Sequence, residues 1–252
     1  MERYKISANS REKPGDLLFL CGPHEAYEQI ANLADSRFRA RELTESGTKN
    51  WTHVLEFPAG VGPDVRQLLG ILTEVLSIPC PEFVDIAIAL DWYTVPGGED
   101  LVHTEMGDCI NWTKHATHPE WSNSRRARQR MVGGLSEFIS SHPLYSSAET
   151  IIAAPGHLGD GESFGEILAR EVARRVGIKF VESRSDGPRP AQKEVKQDLS
   201  HSFEVDLALW GTVIVIDDVY QSGGSARGAG AAARRAGANS VFSLAVARTI
   251  SN

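Results

Sequence analysis

Apolar residues recur along this chain in two rhythms, alternation and helical spacing, and the sequence of rhythms predicts its organisation. Near the start, Asp16-Leu17-Leu18-Phe19-Leu20 runs into Cys21-Gly22-Pro23 and reads as a short buried strand, and His24 to Ala34 follows with helical character. Trp51 to Phe57 predicts a strand stopped by Pro58, while Val65, Leu68, Leu69, Leu72, Val75 and Leu76 recur at helical spacing between Pro63 and Pro79. Val84, Ile86, Ile88 and Leu90 alternate, which predicts a further strand. This is a mixed α/β region with no chemistry written on it. A domain boundary is expected near residues 100–106, giving an N-terminal region of 1–104 and a second domain of 105–252.

Beyond that boundary, strand-like and helix-like segments alternate. Thr150 to Ala154 is a short apolar run closed by Pro155-Gly156. Phe164, Ile167, Leu168, Val172 and Val176 share one helical face, with Gly177 placed to end the helix. Lys179 to Glu182 starts another strand, and a polar stretch from Ser183 to Ser200 separates it from Val213-Ile214-Val215-Ile216. An Ala-rich helix from about Ala226 to Ala236 and a last strand from Val241 to Ala247 complete the pattern. Such alternation predicts an α/β fold, a parallel sheet flanked by helices, with ligands bound outside the carboxyl ends of its strands.

Composition narrows the class without changing this picture. The chain has 252 residues, 41% apolar and 23% charged, which is ordinary for a globular protein and excludes collagen-like, coiled-coil and wholly disordered readings. Its apolar runs fall far short of the roughly 20 residues that cross a bilayer, and the polar N-terminus does not resemble a secretory signal. A cytoplasmic protein with no membrane partner is expected. Cys21, Cys80 and Cys109 have no paired spacing, so neither a disulfide framework nor a four-cysteine zinc module is expected. The net charge of −7 arises in residues 1–100, with 9 basic against 16 acidic side chains, while residues 101–252 balance at 17 against 17. Overall charge therefore offers no drive to bind nucleic acid.

The chemistry is concentrated in Val213-Ile214-Val215-Ile216-Asp217-Asp218-Val219-Tyr220-Gln221-Ser222-Gly223-Gly224-Ser225. Four β-branched residues make a strand buried on both faces, which delivers two carboxylates to the carboxyl edge of a sheet. Burying Asp217 and Asp218 side by side without a partner is costly, so they are expected to face solvent, a polyol or a cation. The small residues Ser222 to Ser225 let the backbone wrap an anion, and the following helix adds its N-terminal dipole. The order describes a site for a phosphorylated sugar with a divalent cation nearby.

This segment resembles the phosphoribosyl pyrophosphate (PRPP) motif of type I phosphoribosyltransferases, a hydrophobic strand, two acids and a Thr/Gly-rich loop. The resemblance implies that Asp217 and Asp218 hold the ribose hydroxyls and, directly or through water, Mg²⁺. It implies that Val219, Tyr220, Gln221, Ser222, Gly223, Gly224 and Ser225 cradle the 5′-phosphate. From about Asp108 to Thr249 the order of features is similar to the competence protein F type of phosphoribosyltransferase-like protein. In order come Trp112-Thr113-Lys114-His115, a helix over 122–141 and a strand ending in Pro155-Gly156-His157. The Gly165-to-Ala169 helix, Arg189-Pro190-Ala191-Gln192-Lys193 and the PRPP loop follow, and Leu244-Ala245-Val246-Ala247-Arg248 closes the series. The resemblance makes Ala154, Pro155, Gly156 and His157 a pyrophosphate loop and brings Arg189 or Lys193 from a flexible loop onto the pyrophosphate. It implies an enzyme that uses Mg²⁺ and PRPP and transfers ribose 5-phosphate to a nitrogenous small-molecule acceptor. The alternative is a non-catalytic relative in nucleic-acid handling or nucleotide sensing; a homodimer is compatible with either.

The chain departs from that type in three places. Gln221 stands where Thr is usual, about 100 residues of other character replace a cysteine-rich zinc module, and Leu158-Gly159-Asp160-Gly161-Glu162 replaces an arginine-rich stretch. Asp160 and Glu162 would need a cation between them and an anion. Arg125, Arg126, Arg128 and Arg130, with Trp121 before them, are the candidate nucleic-acid patch, with a solvated helix face as the other reading. Cys109, His115 and His118 lack a fourth ligand and are not read as a metal site. Trp92 and Tyr93 are expected to pack in the core, with a base pocket as the alternative use.

Overall fold

A computed structural model describes residues 1–9, 14–114, 122–185, 187 and 198–250. The chain divides into two compact units, Met1–Cys80 and Pro81–Asn252. Among the described residues no helix is long and apolar enough to cross a membrane.

The first unit contains β1 (Arg3–Ala8), β2 (Asp16–Cys21), α1 (His24–Ala34), β3 (Arg39–Arg41), β4 (His53–Phe57), α2 (Pro63–Glu74) and the short β5 (Leu76–Ser77). Strands β1, β2, β4 and β3 form an antiparallel sheet in that order. Leu18 and Leu20 of β2 and Leu55 and Phe57 of β4 are buried, as are Val65, Leu68, Leu69 and Leu72 along one side of α2. Pro63 occupies the first turn of α2, where its missing N–H costs nothing. Helix α1 spans the residues the pattern predicts; β1 and β3 were not read as strands because their residues are mostly exposed and polar.

The second unit contains β6 (Ile86–Trp92), β7 (Thr94–Gly97), β8 (Asp100–His103), α3 (Glu105–Lys114), α4 (Ser122–Ser141), α5 (Pro143–Ser146), β9 (Thr150–Ala153), α6 (Phe164–Val176), β10 (Lys179–Phe180), β11 (Arg184–Ser185), β12 (Phe203–Glu204), β13 (Thr212–Tyr220), α7 (Gly224–Arg235) and β14 (Ser240–Arg248). Five of these strands pair in parallel in the order β10-β9-β13-β14-β6. The fold is α/β, a parallel sheet flanked by helices. The alternation from Val84 to Leu90 marks a strand as predicted, but that strand belongs to this sheet. Ala87 and Ala89 fill its second face and are as buried as Ile86 and Ile88. The compact units therefore meet at Cys80 and Pro81, upstream of the boundary expected at 104.

The two faces follow from side-chain parity. Phe242 of β14 lies with its ring 5.3 Å from Tyr145 of α5, which places α3 to α5 over the face that carries Ile214, Ile88 and Leu244. Asp85, beside β6, joins Arg234 of α7 through two 2.6 Å contacts and accepts 2.8 Å from the Val241 amide. Helix α7 thus lies over the other face. Its Gly/Ala composition has a steric reason, because a Cβ at Gly228 would stand 2.7 Å from the Phe203 ring and 2.8 Å from the Leu199 carbonyl.

Candidate functional site

The chain leaves β9 towards β10 and leaves β13 towards β14, in opposite directions across the sheet. Right-handed crossovers then put α6 and α7 on opposite faces and open a crevice between the carboxyl ends of β9 and β13. The loop Ala154–His157 borders one side and the segment from Asp217 to Ser225 the other. The two stretches singled out from the sequence therefore flank one topological switch point.

On the β13 side, Asp218 is 6% exposed and its Oδ2 lies 2.7 Å from the Lys114 Nζ at the end of α3. Asp217 is half-buried, its Oδ1 accepts from the Asp218 amide at 2.9 Å, and Asp218 Oδ1 accepts from the Val219 amide at 2.8 Å. Solvent, a polyol or a cation was expected beside these acids, and the protein supplies the cation itself. Desolvation, reinforced by the neighbouring Asp218 charge, pushes the Asp217 carboxyl up to about 8. Burial alone would lower the Lys114 pKa, but attraction to Asp218 and their hydrogen bond outweigh it, so the ammonium is held charged above the ordinary lysine range.

Val219 and Tyr220, read as the start of the phosphate loop, instead extend β13. They stay in register with Ala247 and Arg248, and Tyr220 is buried, so the turn is confined to Gln221, Ser222 and Gly223. Gly223 caps α7 with φ of +78°, and a Cβ there would fall 2.4 Å from the Tyr220 hydroxyl. Gly223 supplies this helix with no side-chain cap. Its first amides, at Gly224 and Ser225, have no partner within the helix and lie beside the exposed Gln221 and Ser222.

On the β9 side, Ala154 and Pro155 are buried and His157 is exposed. The Gly156 amide donates to Glu166 Oε2 at 3.3 Å, and a Cβ on Gly156 would lie 2.4 Å from the Ser163 Cβ. Ser163 and Glu166 form a reciprocal capping box at the start of α6. Within the stretch Ala154 to His157, expected as a pyrophosphate loop, the Gly156 amide is thus held by an acidic side chain. Beyond this loop, towards β10, lies a cavity of about 140 Å³ lined by Pro155, Asp160, Arg170, Phe180 and Glu182.

Arg189 and Lys193 of the flexible loop, and His115, His118 and Trp121, lie outside the described residues. In the arginine patch of α4, Arg130 pairs with Glu105 at 2.6 Å and Arg128 with Glu171 at 3.6 Å. Trp92 and Tyr93 are half-buried at the end of β6 rather than sealed in the core. Arg248 holds its guanidinium carbon 4.9 Å above the Trp92 ring. Among the described residues no three His, Cys, Asp or Glu side chains converge as a metal cage. Asp217 and Asp218 suit only a cation that brings most of its own oxygen ligands, as Mg²⁺ bound to a diphosphate does. Lys114, Glu166 and Arg248 had no role assigned from sequence, and only strand register and helix packing reveal their contacts with Asp218, Gly156 and Trp92.

No protein-family model matches the sequence, and no curated protein matches it. Solved structures with a similar fold include adenine phosphoribosyltransferase from Saccharomyces cerevisiae, at 18% identity and TM-score 0.39, covering 62% of this chain and 79% of that one. The enzyme of the same name from Giardia lamblia is 16% identical with TM-score 0.38, covering 62% and 92%. A purine phosphoribosyltransferase from Pyrococcus horikoshii is 15% identical with TM-score 0.33, covering 50% and 87%.

Proposed function

We propose that the second unit is a phosphoribosyltransferase-like domain of the competence type that binds PRPP and transfers its ribose 5-phosphate to a nitrogenous acceptor. One observation carries this reading: an acidic pair at the end of β13 leads through a three-residue turn into an uncapped helix N-terminus, across a switch-point crevice from a second glycine loop. The α7 amides bind the 5′-phosphate. Asp217 and Asp218 accept hydrogen bonds from the ribose hydroxyls and would share Mg²⁺ with the substrate; when bound, that cation neutralises the diphosphate as it departs. An acceptor nitrogen forms a bond to the anomeric carbon while the bond from that carbon to the diphosphate oxygen breaks, and pyrophosphate leaves with the electron pair. The protein contributes position and charge, with the acidic side chain of Asp218 facing the positive charge that builds on the ribose and Asp217 hydrogen-bonding its hydroxyls.

Lys114 holds the Asp218 side chain in place at the end of β13 through its 2.7 Å contact before substrate arrives. Calorimetric titration of PRPP with and without Mg²⁺ tests the reading, with ribose 5-phosphate as control. Micromolar, cation-dependent binding that disappears in Asp217→Asn and Asp218→Asn supports it. Unaltered affinity in the double variant overturns it.

A further inference from the structure

We propose that His24 and His53 form a zinc site in the first unit, a two-histidine clip between the start of α1 and the start of β4 that leaves the remaining coordination positions to water. Every group involved belongs to Met1–Cys80, so the site stands or falls without the phosphoribosyl reading. Leu20 of β2 stands opposite His53, which places His53 on the same face of the sheet as Leu55 and Phe57. There it meets the first residue of α1, with His24 Nδ1 and His53 Nε2 3.4 Å apart. Hydrogen-bond partners decide where each ring carries its proton. Thr52 Oγ1 lies 3.1 Å from the Leu20 carbonyl and 3.2 Å from the Gly22 carbonyl, neither of which can donate. The hydroxyl therefore gives its single proton to a carbonyl and accepts from His53 Nδ1, 2.9 Å away. His53 Nε2 is left with a bare lone pair. On the other ring, His24 Nε2 faces the Glu28 carboxylate at 3.6 Å, one turn further along α1, which draws the ring proton to that nitrogen. His24 Nδ1 is bare as well, and two facing lone pairs repel unless a cation stands between them.

The spacing selects the cation. A separation of 3.4 Å exceeds the range of good N–H hydrogen bonds, roughly 2.7–3.2 Å. Two nitrogens bound tetrahedrally at about 2.05 Å stand about 3.3–3.4 Å apart, whereas a right angle at the same bond length brings them to about 2.9 Å. Imidazole ligands at the tetrahedral angle suit Zn²⁺, while Cu²⁺ and Ni²⁺ favour the right angle. The rings are held in place by their surroundings. Tyr27, on the same side of α1 as His24 and Glu28, stacks on His53 with ring centres 4.6 Å apart and planes 11° from parallel, and its ring lies 5.4 Å from that of His24. Glu28 and Thr52 orient each ligand through its second nitrogen, as the outer partners of metal-bound imidazoles do. The His24 side chain is 64% exposed, which gives the ion and its waters access. Two protein ligands make a site that fills and empties with free zinc, and filling it fastens α1 to β4.

Equilibrium dialysis of the full chain against micromolar Zn²⁺, with excess Mg²⁺ to occupy oxygen sites, tests the clip. The parent is expected to hold one zinc more per chain than His24→Gln or His53→Gln. Zinc should raise the thermal midpoint of the parent and lose that effect in both variants, because an ion that binds only the folded state stabilises it. His24 reaches into solvent, so His24→Gln should match the parent in circular dichroism without zinc and keeps the test valid should His53→Gln fold poorly. Glu28→Gln should retain the zinc at saturation but weaken it by roughly ten-fold, the lower end of what an outer partner contributes. With Co²⁺ in place of zinc, the spectrum of the parent minus that of His24→Gln should show the intense visible bands of a tetrahedral ion. Equal zinc content in parent and His24→Gln overturns the proposal, as do the weak bands of an octahedral ion in that difference spectrum. A parent that takes up no zinc overturns it too, and leaves the two rings sharing a proton.

Discussion

The Nζ of Lys114 and the Oδ2 of Asp218 meet at 2.7 Å although 104 residues separate them in the chain. The contact ties the end of α3 to the end of β13, at the place where the acidic pair leaves the sheet. With the Asp218 side chain 8% exposed and the lysine 47%, the pair is buried on one side only. Removing the lysine strands a buried carboxylate beside Asp217.

Lys114→Met should therefore destabilise the protein. Leaving a charged group without its partner costs roughly 1–3 kcal/mol, and the solvent around the lysine head places this case at the lower end. Urea unfolding should show a lower midpoint with an unchanged slope. An unaltered midpoint would mean that water serves Asp218 as well as the ammonium does.

Asp217 predicts an unusual pH dependence. Its pKa is raised from 3.8 to about 8 on folding, so between those values the native state keeps a proton that the unfolded chain gives up. Stability from this group is complete below about pH 4 and is lost as pH rises towards 8. Asp217→Asn removes the slope. Thermal unfolding of variant and parent should coincide near pH 4, and the variant should be the more stable at pH 8, while its PRPP binding is lost.

How far the sequence led is visible element by element. Helix α1 and the core of β13 were legible because their apolar spacing is local and strong. Val219 and Tyr220 were read as loop because they follow two acids, yet pairing with β14 carries the strand through them. The same non-local pairing moved β6 out of the N-terminal region, since its alanines look neutral in sequence and are buried in the sheet. Within the site, the acids and the glycine turn were readable from their order. Lys114, Glu166 and the contact of Arg248 with Trp92 were not, because each depends on a neighbour that only the fold brings near.

Glu166 offers a separable test of the second loop. It is 5% exposed, and its Oε2 accepts from the Ser163 amide at 3.0 Å and the Gly156 amide at 3.3 Å. Glu166→Ala removes half of the capping box and should cost about 1 kcal/mol. Hydrogen exchange at the Gly156 amide should accelerate, whereas Glu166→Gln, which retains an acceptor oxygen, should keep most of the protection. Equal exchange in all three proteins would show that the loop is held by its backbone alone.

Gly223 tests whether the start of α7 is a phosphate site or only a helix end. Its φ of +78° is one that side chains resist, and a Cβ would press to within 2.4 Å of the Tyr220 hydroxyl. Gly223→Ala must shift either the tyrosine or the turn, with a stability cost of roughly 1–3 kcal/mol. A turn moved by even a few tenths of an ångström re-aims the Gly224 and Ser225 amides, because their directions are set by the first helical turn. The variant should therefore lose affinity for ribose 5-phosphate and PRPP alike, by ten-fold or more, at temperatures where its circular dichroism matches the parent. Tyr220→Phe removes the hydroxyl that the new methyl would meet, so the double variant Gly223→Ala/Tyr220→Phe should regain part of both stability and affinity. Recovered stability without recovered affinity would instead assign the phosphate to some other part of the crevice.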